Sequence, residues 1–190
     1  KIDGVFEKYC LAHDISFHSF SNDTLTNMDN VVKKDNSPYV VFTPFKKKCY
    51  EQLAEHPIQV LPRPAKQLKQ PMKSKGISIA KKYFQATFDR KKWPIGRHAA
   101  LKRLNTFNKK YLKGYKGNRD IPSIRGTSYL SAYIACGVLS IRECYLAIKS
   151  TSMDSKTWID ELLWRDFYRY IAHHFKKVNL SQPFLDDTKK

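Results

Sequence analysis

The segment Trp158-Ile-Asp-Glu161-Leu-Leu-Trp164-Arg165-Asp-Phe-Tyr168 brings two indoles, carboxylates, a guanidinium and a phenol into one short amphipathic stretch. On a helix, Trp158, Glu161, Arg165 and Tyr168 fall at i, i+3, i+7 and i+10, near one face, with Trp164 beside Glu161 and Tyr168. A core helix would carry Leu, Ile or Val at such places. A flat aromatic next to a hydrogen-bond acceptor and a planar cation suits a flat heteroaromatic ligand, stacked on its face and read at its edge.

A second group lies upstream. Gly126-Thr127-Ser128-Tyr129-Leu130-Ser131 precedes the apolar run Ala132 to Val138. Glycine permits a tight turn into a helix. Hydroxyls, free backbone N–H groups and the positive helix end together make an anion cradle. Plain N-capping uses the same residues, and the sequence leaves both readings open. Ser140-Ile-Arg-Glu143 reads as a structural capping box, and Thr157-Trp-Ile-Asp160 as another that starts the aromatic helix.

The elements that must position these groups read in three parts. Residues 1–45 have an α/β pattern. Val5 to Ala12 has helical spacing, Ile15 to Phe20 is strand-like, and Pro38 to Phe42 is strand or extended chain. Residues 46–92 are rich in Lys, Pro and Gln, with a short helix over 46–55, and read as an interdomain connection. From residue 93 the pattern is helical, with Pro94 fitting the first turn of a helix that carries Ala99, Leu101, Leu104 and Phe107. The expected fold is an α/β remnant followed by a mainly α region.

Charge narrows the partners. The 190 residues carry a formal net charge of +18, with aromatics interleaved among the basic residues, which points to nucleic acid. Cys10, Cys49, Cys136 and Cys144 form no CxxC pair and read as reduced thiols of a cytoplasmic protein. No apolar run is long enough to span a membrane. His173-His174 and the scattered histidines show no metal-ligand spacing, and Asp186-Asp187 reads as a solvated tail. No Walker loop or Gly-rich dinucleotide fingerprint is present.

Taken in order, four motifs carry a resemblance. They are Tyr115-x-x-x-Arg119-Asp120-x-Pro122, Gly126-Thr-Ser-x-Leu-Ser131, Gly137-x-Leu139-Ser140-x-Arg142 and Trp158-x-x-Glu161-Leu-x-Trp164-Arg165-Asp-Phe-Tyr168. This order resembles the photolyase/cryptochrome family. Val41-Phe42-Thr43-Pro44-Phe45 resembles the end of that family's antenna domain, and Trp93-Pro94 the start of its flavin domain. Phe167-Tyr168 after Trp-Arg-Asp is most like the class I cyclobutane pyrimidine dimer photolyases.

The resemblance implies a division into the C-terminal part of an α/β antenna domain (1–45), a connection (46–92) and the first half of an all-helical FAD-binding domain (93–190). It implies that Tyr115, Thr127, Ser128, Leu130 and Ser131 hold FAD, that Trp158 lines the flavin pocket and that Arg165 supports the phosphates or the pocket wall. Glu161 would hydrogen-bond a flipped pyrimidine dimer, Trp164 would stack on it, and Arg119, Arg165 and Tyr168 would lie on the DNA side. The implied reaction is light-driven electron transfer from reduced FAD to the dimer, which splits the cyclobutane ring. A dimer stacks poorly, so extruding it from a duplex costs only a few kcal/mol.

The family also has an antenna half before residue 1, where a folate or deazaflavin would sit, and a second flavin half after residue 190. The resemblance therefore implies a partial chain that binds FAD weakly and repairs nothing alone. Two other functions fit parts of the sequence: a cryptochrome-like photoreceptor on the same fold, and a basic helical DNA-binding module without chemistry. The module explains the charge but leaves the hydroxyl cluster and the aromatic helix unexplained.

Overall fold

A computed structural model describes residues 2–20, 23–62, 89–148 and 152–183. Among these residues the chain is mostly helical, and its β pairing is a single antiparallel bridge between Val32 and Pro38. Ile15 to Phe20, expected as a strand, is irregular and exposed. The run Pro38 to Phe42 turns directly into a helix instead of forming a strand. The α/β character expected of residues 1–45 is thus not seen as a sheet. Pro64, Pro71 and Asp186-Asp187 fall outside the described residues.

The chain packs as two compact units, Lys1–Pro57 with Ile159–Lys190, and Ile58–Trp158. In the first unit, α1 spans Ile2–Ala12, in line with its helical spacing, and α2 spans Phe42–Glu55. Pro44 sits in the first turn of α2, where a missing N–H leaves no bond unmade, so the helix starts earlier than Lys46. Phe45, Cys49 and Leu53 recur every fourth residue and form its buried stripe. That stripe meets residues of the long final helix α7, Met153–His174, whose portion from Ile159 onward belongs to this unit.

The Phe45 ring lies 5.1 Å from Phe167 and 4.9 Å from Tyr170. Each such buried ring contributes roughly 1.5–3 kcal/mol of transfer free energy. Tyr170 is fully buried, and its hydroxyl donates to the Val31 carbonyl (2.6 Å) and accepts from the Tyr39 N–H (3.0 Å). One phenol thereby satisfies two loop backbone groups. Cys49 is buried beside it, and burial pushes its thiol up to about 12.

In the second unit, α3 spans Arg97–Thr106 and continues into a π-turn over Phe107–Tyr111. The helix opens at Gly96, whose φ of 92° favours glycine, so Pro94 lies ahead of the first turn rather than inside it. Then come α4 (Tyr115–Asn118), α5 (Ser131–Ala135) and α6 (Ile141–Ala147). The capping box at Ser140 forms as expected: Ser140 and Glu143 satisfy each other's backbone N–H groups. The box expected at Thr157 does not. α7 starts a turn earlier, Ser152 Oγ accepts the Ser155 N–H (3.2 Å), and Thr157 is interior, donating back to the Met153 carbonyl (2.9 Å).

Phe107 is the hub of this unit's core, 5.7 Å from Tyr115 and 5.3 Å from Trp158. Asp154 fixes the short α4 from outside. Its carboxylate accepts the Gly114 and Lys116 N–H groups (both 2.9 Å), which hold it below the usual carboxylate range. Among the described residues no helix is long and apolar enough to cross a membrane. Cys144 is buried like Cys49, whereas Cys136 is exposed.

Candidate functional site

The second unit holds a cavity of about 390 Å³, and of the candidate residues Thr127 and Ser128 line it, whereas Tyr115, Leu130, Ser131 and Trp158 do not. Thr127 and Ser128 lie on its wall, together with Lys102, Arg103 and Arg125. The loop that presents the hydroxyls is set by Gly126. A Cβ there would stand 2.6 Å from the Asn118 carbonyl carbon, a distance no side chain can occupy. Gly126 therefore lets the backbone press against the end of α4, a stricter role than easing entry into a helix.

The helix after this loop differs from the expected one. It covers only Ser131–Ala135, and no side chain caps it. Thr127 and Ser128 sit ahead of it in an irregular loop that bends at Thr127, with Thr127 exposed and Ser128 half-buried. Plain N-capping of this helix is thus not their role here, and both residues line the cavity. Leu130 is buried and anchors the loop, while Ser131, the first helical residue, is exposed.

Tyr115 and Trp158 are 6 % and 3 % exposed, so both act as packed rings of the core. They meet through Phe107, which also lines the cavity. Arg119 follows α4, partly exposed and 3.6 Å from the Asp120 carboxylate. Hydroxyl donors, cations and aromatic rings around one hollow are a donor set that fits a phosphate-bearing aromatic ligand such as FAD.

The first unit holds the remaining candidates. Trp164 stacks face to face on Phe42, with centroids 3.6 Å apart and planes at 11°. Tyr168 is 67 % exposed and lies 5.9 Å from Trp164, nearly parallel. Glu161 is half-buried on the same helix. Arg165 is engaged within the chain: its Nη1 donates to the Asp23 carbonyl (2.7 Å) and to Asp166 (3.1 Å). Arg169 pairs with the Asp23 carboxylate.

Asp166 is the residue that sequence reasoning passed over. It is 1 % exposed and accepts the Leu25 N–H at 2.7 Å, so it fixes the loop that precedes α2. Burial pushes its carboxyl up to about 7, against the opposing pull of the Leu25 N–H and the neighbouring guanidinium. The visible signal was an Asp next to an Arg inside an otherwise apolar stripe. Lys46, part of a basic run in the sequence, is also committed: it donates to Asp160 at 2.8 Å, and Tyr50 donates to the same carboxylate at 2.9 Å.

Residues 1–65 match the family model for DNA photolyase. The chain is 38% identical over 91% of its length to the deoxyribodipyrimidine photo-lyase of Alkalihalophilus pseudofirmus, covering 37% of that protein. It is 30% identical over 87% of its length to the Escherichia coli protein of the same name, covering 36% of it. A bacterial class III photolyase structure from Agrobacterium tumefaciens superposes with a TM-score of 0.74 at 23% identity, over 93% of this chain and 38% of the other, which shows the shared fold. The chain spans little more than a third of the curated relatives it matches. In its relatives and its fold, the chain is similar to DNA photolyases along nine-tenths of its length.

Proposed function

We propose that this chain is part of a deoxyribodipyrimidine photo-lyase, with its flavin-binding residues in the second unit and its lesion-facing residues in the first. The observation that carries the reading is the cavity holding Thr127 and Ser128, hydroxyls free of capping duty beside cations and an aromatic wall. Thr127, Ser128 and Ser131 hold the FAD phosphates, with Leu130 anchoring their loop. Tyr115 and Trp158 support the pocket from the core through Phe107. FAD, when bound and reduced, supplies under light the electron that splits a pyrimidine dimer.

The chain's own residues bind and orient. Glu161 accepts hydrogen bonds from the dimer's polar edge, and Trp164 and Tyr168 offer ring faces to extruded bases, a kind of contact worth roughly 1–3 kcal/mol per base. Arg165 holds the loop before α2 in place. Arg119 meets the DNA backbone. The net charge of +18 adds sequence-independent, salt-sensitive affinity for DNA. By family, residues 1–45 end an antenna domain, 46–92 connect, and 93–190 begin the flavin domain. Phe167-Tyr168 places the chain nearest the class I enzymes. At this share of its relatives' length, the chain alone binds FAD weakly and repairs no dimers, and any folate or deazaflavin antenna is held outside it.

A flavin photoreceptor without repair activity is the second reading. It is favoured by one observation: Phe42 already covers a face of Trp164. Binding to matched oligonucleotides with and without one thymine dimer separates the two. A preference for the damaged strand that Trp164→Ala removes supports the photolyase. Equal affinity for both strands, unchanged by the substitution, supports the photoreceptor.

A further inference from the structure

The first unit holds a hollow of its own, of about 480 Å³, lined by the chain at 30–39 and by α2. Four lysines stand in its wall, Lys33 and Lys34 from the turn before α2 and Lys47 and Lys48 from the helix. Pro44, Lys47, Lys48 and Glu51 fall at i, i+3, i+4 and i+7, so a single helix face supplies that part of the wall. Glu51 is the one carboxylate among the described residues of the wall, and it pairs with Lys48 at 3.5 Å. Four lysines against one glutamate leave an excess of three positive charges. Cations gathered around one hollow repel one another, and an anion among them removes that cost.

The turn that carries Lys33 and Lys34 is held by its own bonds. Val32 bridges Pro38, the Lys33 N–H donates to the Ser37 carbonyl (3.0 Å) and the Asn36 N–H to the Lys33 carbonyl (3.0 Å). Asn36 takes a φ of 61°, which asparagine tolerates better than most side chains. Asp35 lies on the same turn, but its carboxylate accepts the Ser37 hydroxyl (2.7 Å) and N–H (3.0 Å), which hold it below the usual carboxylate range. It serves the turn and does not line the hollow. The helix is fixed to the same chain: Gln52 Nε2 donates to the Asn30 carbonyl at 2.7 Å, and the Tyr170 hydroxyl anchors the Tyr39 N–H. Both lysine pairs therefore stand on backbone that is tied together. Lys33, Lys34 and Lys47 form no ion pair among the described residues.

We propose that this hollow binds a nucleoside triphosphate, with its phosphates among Lys33, Lys34 and Lys47 and its nucleoside against Tyr39 and Pro44. Its volume is that of a pocket for one small ligand. A rigid duplex would lie across the rim and run past Glu51, whose charge repels a phosphate backbone. A ribose hydroxyl or a base amino group can instead donate to that carboxylate. Three unpaired ammonium groups on flexible stems can follow a chain of phosphates, where a single phosphate would meet only some of them. Tyr39 and Pro44 add an aromatic and an aliphatic ring to the wall, which suit a base or a sugar. The hollow lies in the first unit and the Thr127 cavity in the second, so its ligand is independent of the flavin reading.

The test is calorimetry on the full chain at fixed ionic strength with ATP, adenosine, inorganic triphosphate, FAD and a short undamaged duplex. Lys33→Gln and Lys47→Gln are the variants, both at exposed positions, with circular dichroism checking the fold. Lys8→Gln, exposed on α1 and outside the hollow, removes the same charge elsewhere and is the control. ATP should bind more tightly than inorganic triphosphate and far more tightly than adenosine. Lys33→Gln and Lys47→Gln should each lower ATP affinity by roughly tenfold, and Lys8→Gln should leave it unchanged. Any FAD affinity should be the same in all three variants. ATP binding that no variant changes, or that Lys8→Gln weakens as much as the others, overturns the proposal. Duplex that displaces ATP and weakens in the same two variants overturns it in favour of a nucleic-acid backbone contact. Inorganic triphosphate as tight as ATP overturns the place given to the nucleoside. An equal fall in FAD and ATP affinity overturns the proposal too, because one dinucleotide site would then account for both.

Discussion

Trp164 in the first unit and Ser128 in the second are both candidate ligand contacts, yet their surroundings differ. Trp164 stacks at 3.6 Å on Phe42, and the neighbouring Arg165 bonds the Asp23 carbonyl and Asp166. The chemistry-rich motif of the first unit is thus partly engaged in holding its own loops. Ser128 and Thr127 cap nothing and face a cation-lined hollow. Reactive-looking residue types therefore mark a binding site most reliably where the fold leaves their polar atoms facing a cavity. Where they bond their own backbone, their first role is to position the chain.

The contrast breaks most severely at Phe107. Truncation to Ala removes the ring that joins Tyr115, Trp158 and the cavity, and should cost about 3–5 kcal/mol of stability. Chemical denaturation would show it, with flavin affinity lost in parallel. Loss of affinity without loss of stability would mean that Phe107 is a ligand contact and not a core hub.

Tyr170→Phe probes the first unit in the same way. It leaves the Val31 carbonyl and the Tyr39 N–H without their shared partner, at a cost of about 1–3 kcal/mol. Flavin affinity should stay the same, since the change lies outside the cavity. A matching fall in FAD binding would blur the division drawn here.

Trp164→Ala should remove about 1–3 kcal/mol of any preference for dimer-containing DNA. Trp164→Phe should retain most of it, because a ring face survives. If Trp164 only packs against Phe42, both variants would leave the preference untouched and change stability alone.

The smallest effect is a pH dependence at Asp166. Burial raises its carboxyl to about 7, above the roughly 3.9 of an unfolded aspartate, so between these values the folded state keeps a proton that the unfolded chain has released. Stability from this group is fully present below about pH 4 and declines until pH passes 7. Asp166→Asn has no such dependence. The variant should therefore be more destabilising at pH 5 than at pH 8, as thermal melts at the two pH values would reveal. The opposite ordering would mean that Arg165 and the Leu25 N–H outweigh burial.

Much of the second unit was legible in the sequence because its signals are local. The Ser140-x-x-Glu143 box formed as read, and the glycine before Thr127 proved necessary, though for its approach to Asn118. The Thr157 box failed because the same pattern occurs inside a helix when Ser152, a turn earlier, supplies the cap. The Ile15 to Phe20 strand failed for a different reason: alternation indicates an edge, but a strand needs a partner to pair with. Contacts between distant positions were out of reach. Phe42 on Trp164, Asp166 on Leu25 and the aromatic box around Arg103 join residues whose adjacency no spacing rule encodes.

The most direct test of the central claim is an FAD titration of the chain by flavin fluorescence, with Thr127→Ala/Ser128→Ala as the comparison. Saturable quenching that the double variant loses, while its melting temperature stays unchanged, is the predicted result. Quenching of equal strength in both proteins would contradict it, because flavin would then be held somewhere other than the 127–131 loop.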